Sequence, residues 1–259
     1  MRIGIHQIYY DRAQLPELEP AFIPYDNTAN PNREWAEYHV FETEFRKGTH
    51  KNFDYTGFVS WKFRQKSRVS GDRFIEFMKS NPGADLYFIN PFPMEELLFK
   101  NVWLQGEFYH PGILEFSQEI LRRAGYDLDL QSWQQPRETF AFCNYWAGNE
   151  KFWHGYMEFT GKIADILRIG LSDSESSFLH SLASRTNNFS YIAFIMERMF
   201  SVFIHLWNPI AIRYVPSPVQ LATRYPGVKG VLFGLLKKRG YLYSLWRFLA
   251  LTARRNREP

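Results

Sequence analysis

Residues 53–63 have the sequence FDYTGFVSWKF, in which aromatic and β-branched side chains predominate. This composition predicts a β-strand. The basic stretch RQKSR at 64–68 follows as a turn. Ser70 then suits the N-cap of a helix over 71–80, because its hydroxyl can accept a hydrogen bond from a free amide of the first turn. A strand followed by a helix is the unit from which layered α/β folds are built.

The same alternation continues on both sides of this unit. Upstream, a strand is predicted at 3–10, a long proline-rich loop at 15–32 and a helix at 33–47. Downstream, the predicted elements are strands at 85–90 and 138–143 and helices at 94–101, 111–124 and 149–168. Strands that alternate with helices of this length predict an α/β fold with a mainly parallel central sheet flanked by helices.

The most apolar run of the chain is FSYIAFIMERMFSVFIHL at 189–206. Its length would suit a membrane span, but Glu197 and Arg198 lie at its centre, where ionisable groups are costly in lipid. A buried helix of the core is therefore the better interpretation. We expect Glu197 and Arg198 to form structural ion pairs rather than to take part in chemistry.

The overall composition is that of one soluble globular domain with a short appendage. The chain has 259 residues, of which 45% are apolar and 22% charged. Its one cysteine, Cys143, can form neither an intrachain disulfide nor a cysteine zinc cluster, which favours a reducing compartment. The first ten residues, MRIGIHQIYY, lack the apolar run of a secretory signal. We therefore expect a cytoplasmic protein.

The positive charge is concentrated near the C-terminus. Residues 229–259 hold eight basic side chains and one acidic side chain, a net charge of +7. Residues 1–228 hold 23 basic and 26 acidic side chains, a net charge of −3. This contrast predicts a domain at 1–228 and a basic aromatic amphipathic tail at 229–259. Tyr243, Trp246 and Phe248 alternate with cations there, which suits the headgroup region of an anionic membrane. An ordinary helix packed on the domain fits the same pattern. The acidic main domain argues against a nucleic-acid partner.

Several common catalytic signatures are missing from the sequence. It has no G-x-x-x-x-G-K-[ST] phosphate loop, no G-x-G-x-x-G and no G-x-S-x-G, which argues against phosphate-loop kinases, Rossmann dehydrogenases and serine hydrolases. An Asp-x-Asp pair occurs at Asp127 and Asp129, and such a pair can hold a divalent ion. It follows the end of a predicted helix, so a solvated turn is the better interpretation. Asp26, in the predicted loop at 15–32, is likewise better interpreted as a turn residue than as a metal ligand.

Polar side chains follow two of the predicted strands. Ser60, Lys62 and Lys66 stand where the strand at 53–63 ends, and ligands of open α/β sheets bind beyond the carboxyl ends of strands. Lysines there can bind a diphosphate by charge-assisted hydrogen bonds, although a basic surface turn has the same composition. Asn144, Tyr145 and Trp146 suit sugar recognition, with core packing of Trp146 as the alternative. Glu107 and His110 lie in the predicted connection at 105–111 between two helices and suit an acid/base pair, with a helix-start motif as the alternative.

Several segments together resemble an uncharacterised glycosyltransferase-like family of bacterial capsule and lipopolysaccharide gene clusters. The segments are FDYTGFVSWKFRQKSRVSG, GADLYFINPFP, NVWLQGEFYHPGI, FAFCNYWAGNEKFW and SYIAFIMERMFSVFIHLW. They are also similar to a capsular glycosyltransferase-like domain with a D-Y-V-G-L-x-H-Y-R-R pattern and a later E-R-L-x-S-x-W helix. Residues 54–58 match the first pattern and 197–201 the second. The resemblance covers about residues 3–207.

This resemblance implies a GT-A-like fold and a transferase that moves a sugar from a nucleotide-sugar donor to a capsule or lipopolysaccharide acceptor. The partners would be that donor, a glycan or lipid-linked acceptor, and the inner-membrane surface, where 229–259 would hold the cytoplasmic protein peripherally. We assign the donor to Gln7, Ser60, Lys62, Lys66 and Asn90, the acceptor or sugar to Asn144, Tyr145 and Trp146, and catalysis to Glu107 and His110.

The resemblance is incomplete at the metal site of GT-A enzymes. Ser60-Trp61-Lys62 stands where Asp-x-Asp is expected, so we predict that Lys62 and Lys66 offset the diphosphate charge in place of an ion. Mg²⁺ or Mn²⁺ stays a cofactor candidate without a well-placed ligand pair. The alternative function is a non-catalytic binding or scaffold protein that uses its basic tail on a membrane or on nucleic acid.

Overall fold

A six-stranded sheet flanked by helices organises the computed structural model, which describes residues 1–183 and 189–216. The strand order is β2-β1-β3-β5-β4-β6. β1 pairs in parallel with β2 and β3, β4 pairs in parallel with β6, and β5 runs antiparallel to both of its neighbours. The strands are β1 (Ile3–Tyr9), β2 (Ile23–Asp26), β3 (Tyr55–Ser60), β4 (Leu86–Ile89), β5 (Trp146–Gly148) and β6 (Ala211–Tyr214).

The helices pack around this mixed, mainly parallel sheet and confirm the predicted α/β class. The architecture is consistent with the GT-A-like fold that the sequence resemblance implies. The α-helices are α1 (Ala36–Lys47), α2 (Phe63–Ser67), α3 (Gly71–Ser80), α4 (Glu95–Leu98), α5 (Val102–Tyr109), α6 (Ile113–Arg123), α7 (Glu150–Ile169), α8 (Asp173–His180) and α9 (Tyr191–Trp207). The predicted tail at 229–259 and the end of the predicted domain at 1–228 lie outside the described residues.

Helix α9 is a helix of the core, as its central charged pair predicted. It packs against α1, α5, α7 and α8, and most of its side chains are buried. The buried guanidinium of Arg198 donates to the carbonyls of Val102 and Phe194, both at 3.1 Å, and to Gln105 Oε1 at 2.7 Å. Arg198 therefore joins α9 to α5. None of the helices within the described residues has the length and apolar character needed to cross a membrane.

Three segments predicted as loops, turns or connections contain regular structure instead. The predicted loop at 15–32 contains β2, an edge strand, and an edge strand tolerates the missing amide of Pro24. The predicted turn at 64–68 falls largely in helix α2, and most of the predicted connection at 105–111 lies in α5.

The strand predicted at 138–143 is wrong. Residues 137–139 form a 3-10 turn, and the strand in this region is β5, which begins at Trp146. Cys143 and Asn144 have φ angles of 67° and 44°, in the left-handed region, so the chain cannot stay extended before β5. The apolar residues that suggested a strand, such as Phe140 and Phe142, are buried from irregular backbone instead.

Strand β5 brings an aromatic cluster to the centre of the sheet. The Trp146 ring is fully buried and stacks on Phe200 with 5.7 Å between ring centroids and 5° between planes. Trp153 and Phe41 pack at 4.9 and 5.2 Å from the same ring. Opposite this strand stands Gly57 of β3, where a Cβ would overlap the carbonyl oxygen of Trp146. A glycine is therefore required at this close approach of the two strands.

Two glycine-to-alanine variants test this close approach. Gly57→Ala should lower the free energy of unfolding by about 1–3 kcal/mol, because the added methyl group overpacks the contact with Trp146. Gly161→Ala is the matched control, since nothing lies within 4 Å of its added Cβ in helix α7, and it should gain about 0.5–1 kcal/mol. Urea denaturation measures both values. Equal stability of the two variants would contradict the packing described here.

Candidate functional site

A cavity of about 430 Å³ opens beyond the carboxyl ends of β1 and β3. The chain passes from β1 to β2, which pairs with one side of β1. It then returns to β3, which pairs with the other side of β1. Ligands of open α/β sheets bind beyond strand ends at such a reversal. The cavity is lined by Tyr10, Gln14, Ala36, Glu37, Ser60, Trp61, Lys62, Lys66, Phe189, Ala193, Phe194 and Glu197.

Two carboxylates line this cavity from different helices. Glu37 lies in the first turn of α1 and Glu197 in the middle of α9. Burial, and then the charge of Glu197, raise the pKa of Glu37. Burial also raises the pKa of Tyr10, followed by the charge of Glu37 and hydrogen bonding to it. A carboxyl group with a raised pKa is suited to accept or donate a proton near neutral pH.

Two lysines line the same cavity. The Nζ atom of Lys66 donates to Cys143 Sγ at 3.3 Å. Interactions with Cys143, Tyr145 and the two acids raise the pKa of Lys66, so its amine is charged at neutral pH. Burial raises the pKa of Cys143 to about 12, and the charge of Lys66 acts against this rise. Lys62 is exposed, and its Nζ lies 4.9 Å from the ring centre of the half-buried Trp61.

The structure therefore brings together three of the five residues predicted for the donor: Ser60, Lys62 and Lys66. Ser60 Oγ lies 3.2 Å from the hydroxyl of the buried Tyr145, which supports it from behind. Gln7 and Asn90 do not line the cavity.

The side chains of Gln7 and Asn90 hold the backbone near the strand ends. The Gln7 amide donates to the carbonyls of Ser60 and Trp61 and accepts from the amide of Glu19 at 2.6 Å. Asn90 donates to Glu96 Oε2 at 3.2 Å and accepts from the amide of Phe92. A role of either residue in donor binding stays a prediction.

Glu107 and His110 lie outside the cavity lining and serve the start of helix α6. The Glu107 carboxylate accepts from the amides of Gly112, at 2.9 and 3.1 Å, and Leu114, at 3.0 Å. His110 is buried, with Nδ1 at 2.8 Å from the carbonyl oxygen of Ala183, and its ring stacks on Phe194. The helix-start alternative describes this arrangement, and a catalytic role of the pair stays a prediction.

The segment Asn144–Trp146 is packed inside the protein. Tyr145 and Trp146 are 1% and 0% exposed, so neither ring offers a face to a sugar, and the core-packing alternative describes them. Asn144 is also buried, and its Oδ1 has no hydrogen-bond partner among the described residues. Sugar binding by this segment stays a prediction.

Several residues of the cavity carry no recognisable signal in the sequence. Glu37 was an unremarked acid in the first turn of a predicted helix, where acids are common because they favour the helix dipole. No motif or spacing in the sequence marks Tyr10, Gln14 or Phe194 as site residues. Glu197 did carry a signal, because the E-R-L-x-S-x-W pattern begins at this residue, but its sequence context favoured a structural ion pair.

Within the described residues, the two carboxylates of the cavity belong to no group of three His, Cys, Asp or Glu side chains that could share an ion. Both stand beside the charged Lys66. The Asp-x-Asp pair is elsewhere, in an exposed turn where Asp129 accepts from the amides of Gln131 and Ser132. Asp26 likewise accepts from the amide and hydroxyl of Thr28. The expected independence of a divalent ion stays a prediction.

A second groove, of about 600 Å³, runs along α3 to Tyr214 and Val215. Its charged lining residues are Asp72, Arg73 and Glu76, so one cation faces two acids. This groove lies beside a helix rather than beyond the reversal between β1 and β3. The cavity with the two lysines is therefore the candidate site.

Comparison with protein-family models gives no match, and neither does comparison with curated proteins. Among solved structures, the chain is similar to the apo structure of the bifunctional glycosyltransferase WbbM, with a TM-score of 0.43 and 13% sequence identity. The alignment covers 83% of this chain and 44% of that one. The chain thus spans less than half of the length of that protein, and a likeness of this size does not identify a family.

The buried His110 should make the protein sensitive to acid. Burial, and then the charge of Arg198, lower the pKa of His110 from 6.5 to about 4. Between these two values the unfolded chain binds a proton at His110 that the folded chain excludes, so the free energy of unfolding should fall as the pH falls. His110→Asn keeps a donor near the Nδ1 position and should weaken this fall, as measured by urea denaturation from pH 7 to pH 4. The same slope in both proteins would contradict the assignment.

Proposed function

We propose that this protein is a glycosyltransferase that uses a nucleotide-sugar donor. One observation carries the proposal: the cavity beyond β1 and β3 holds the cations Lys62 and Lys66 together with the carboxylates Glu37 and Glu197. Transfer from a nucleotide sugar needs positive charge at the departing diphosphate and a base at the acceptor hydroxyl. The cavity offers both within one space. The sequence patterns at 54–58 and 197–201 support the same activity.

The diphosphate of the donor would bind between Ser60, Lys62 and Lys66. Charge-assisted hydrogen bonds from the two amines to phosphate oxygens would offset its charge, and the Ser60 hydroxyl would add a neutral donor. Because negative charge grows on the diphosphate as the bond to the sugar breaks, these groups would stabilise the transition state more than the bound donor. The half-buried ring of Trp61 provides a face on which a base or sugar can stack.

Glu37 is the best-placed general base of the cavity. Ionised Glu37 would take the proton of the acceptor hydroxyl, and the acceptor oxygen would attack the anomeric carbon of the donor. The bond between that carbon and the diphosphate oxygen would break, and its electron pair would leave with the diphosphate. Glu197 assists because its charge raises the pKa of Glu37 and so makes its carboxylate more basic. Glu107 and His110 stay the sequence-based alternatives for catalysis.

The finer parts of the proposal come from the sequence. The family resemblance supports a capsule or lipopolysaccharide acceptor, and the charge of 229–259 supports peripheral attachment to the inner membrane. Because Asn144, Tyr145 and Trp146 are buried, we expect them to shape the backbone behind Ser60 and Lys66 rather than to touch a sugar. The proposed mechanism uses no metal ion, because the two lysines of the cavity would offset the charge of the diphosphate.

Replacement of Glu37 tests the catalytic part of this proposal. Glu37→Gln should lower the turnover number about 10²–10⁴-fold, because it removes the base, and should leave donor affinity nearly unchanged. The readout is release of nucleoside diphosphate from UDP- and GDP-sugars incubated with a lipid-linked glycan acceptor. Glu107→Gln is the matched control and should retain turnover. Loss of turnover in Glu107→Gln with full activity in Glu37→Gln would reverse the two assignments.

Replacement of a lysine tests donor binding. Lys62→Met should weaken binding of UDP or GDP about tenfold, since it removes one charge-assisted contact to phosphate. Lys79→Met, at an exposed lysine on α3, is the control and should bind as the unmodified protein does. Calorimetric titration with and without EDTA measures both affinities. Nucleotide binding that disappears with EDTA and returns with Mn²⁺ would contradict metal-independent binding. Equal nucleotide affinity of Lys62→Met and Lys79→Met would show that Lys62 does not belong to the donor site.

A further inference from the structure

Three side chains with metal-ligand chemistry meet at the sheet edge opposite to the cavity: His50, Glu150 and His154. His50 lies in the 3-10 turn Thr49–Lys51, which leads into β3. Glu150 and His154 stand four residues apart at the start of α7, directly after β5. Because β5 runs antiparallel to β3, the start of β3 and the end of β5 share one edge of the sheet. The group is therefore separate from the proposed catalytic site.

The three side chains are close enough to share one ion. One ligand atom from each lies within 4.8 Å of the others, and His154 Nε2 is 3.5 Å from Glu150 Oε1. Zinc bonds of about 2.0–2.2 Å in a tetrahedral site place ligand atoms roughly 3.3–3.6 Å apart. Glu150 and His154 are 55% exposed and can rotate toward His50 to close the remaining gap.

The burial of His50 gives a second indication of a ligand, independent of the distances within the cluster. Its side chain is only 3% exposed, and neither ring nitrogen has a hydrogen-bond partner among the described residues. Buried polar atoms are normally paired, because leaving them unpaired costs free energy. The ring is held in place by stacking on Phe45, with 4.5 Å between centroids, and the His50 carbonyl oxygen accepts from Thr56 Oγ1 at 3.4 Å. His50 is thus a fixed ligand whose nitrogens the protein leaves unused.

We propose that His50, Glu150 and His154 bind a Zn²⁺ ion that ties the entrance of β3 to the start of α7. Two imidazoles and one carboxylate suit Zn²⁺, whereas Mg²⁺ and Ca²⁺ take oxygen ligands. A water molecule would complete the tetrahedron. Lys51 Nζ lies 3.6 Å from Glu150 Oε1, and its half-exposed side chain would turn into solvent when the ion binds. The role is structural, since the group faces away from the cavity.

Metal titration of the intact chain tests this site. Protein stripped with EDTA and then freed of it should bind one Zn²⁺, seen by calorimetry, and its melting temperature should rise by several degrees at saturation. Co²⁺ at the same site should give a visible ligand-field band. His154→Gln and Glu150→Gln should each weaken Zn²⁺ binding at least tenfold. His180→Gln is the matched control, because His180 is another exposed histidine paired with a glutamate, Glu34 at 2.9 Å, and it should bind Zn²⁺ normally.

A variant of the buried ligand separates metal binding from folding. His50→Phe keeps a ring for the stack on Phe45 and removes both unpartnered nitrogens. It should therefore hold or raise the melting temperature of the metal-free protein while it abolishes the Co²⁺ band. Absence of Zn²⁺ binding would overturn the proposal. Binding that survives His154→Gln and Glu150→Gln, or that falls equally in His180→Gln, would overturn it as well.

Discussion

The close approach of β3 and β5 at Gly57 and Trp146 is the contact on which the structure depends. Strand β5 is only three residues long, yet it joins the parallel group β2-β1-β3 to the parallel pair β4-β6. The absent side chain of Gly57 lets the Trp146 backbone come near, and the Trp146 ring then anchors the aromatic cluster below the sheet. Much of the high aromatic content of the sequence, 18%, thus serves the interior.

The same strand supports the proposed site from behind. The left-handed backbone at Cys143 and Asn144 turns the chain into β5 and places Cys143 against Lys66 and Tyr145 against Ser60. Among the residues predicted to bind a sugar, Tyr145 thus contacts a cavity residue, Ser60, from behind. The cavity side chains come from the end of β3 and the segments that follow β1 and β3, from helices α1, α2 and α9, and from Phe189 just before α9. This explains how a charged residue in a largely apolar core helix, Glu197, can take part in a polar site.

The sequence predicted those features that depend on local pattern. The periodicity of β1, β3 and α3 located these elements, and the charged centre of 189–206 identified a core helix. The position of Ser60, Lys62 and Lys66 after a strand placed them in one site, because strand ends share an edge in a parallel sheet. Long-range packing set the rest. The apolar segment 138–143 resembles a strand but is buried from irregular backbone, and Glu37 resembles any acid at a helix start until α9 brings Glu197 beside it.

The central claim is that a nucleoside diphosphate binds between the strand ends of β1 and β3. Lysine footprinting tests it most directly: the protein is acetylated with and without a mixture of UDP, GDP and CDP, and the modification of each lysine is measured by mass spectrometry. Lys62 is exposed in the free protein and should become protected, whereas the exposed Lys79 of α3 should react equally in both samples. Unchanged reactivity of Lys62 in the presence of the nucleotides would contradict the proposed donor site.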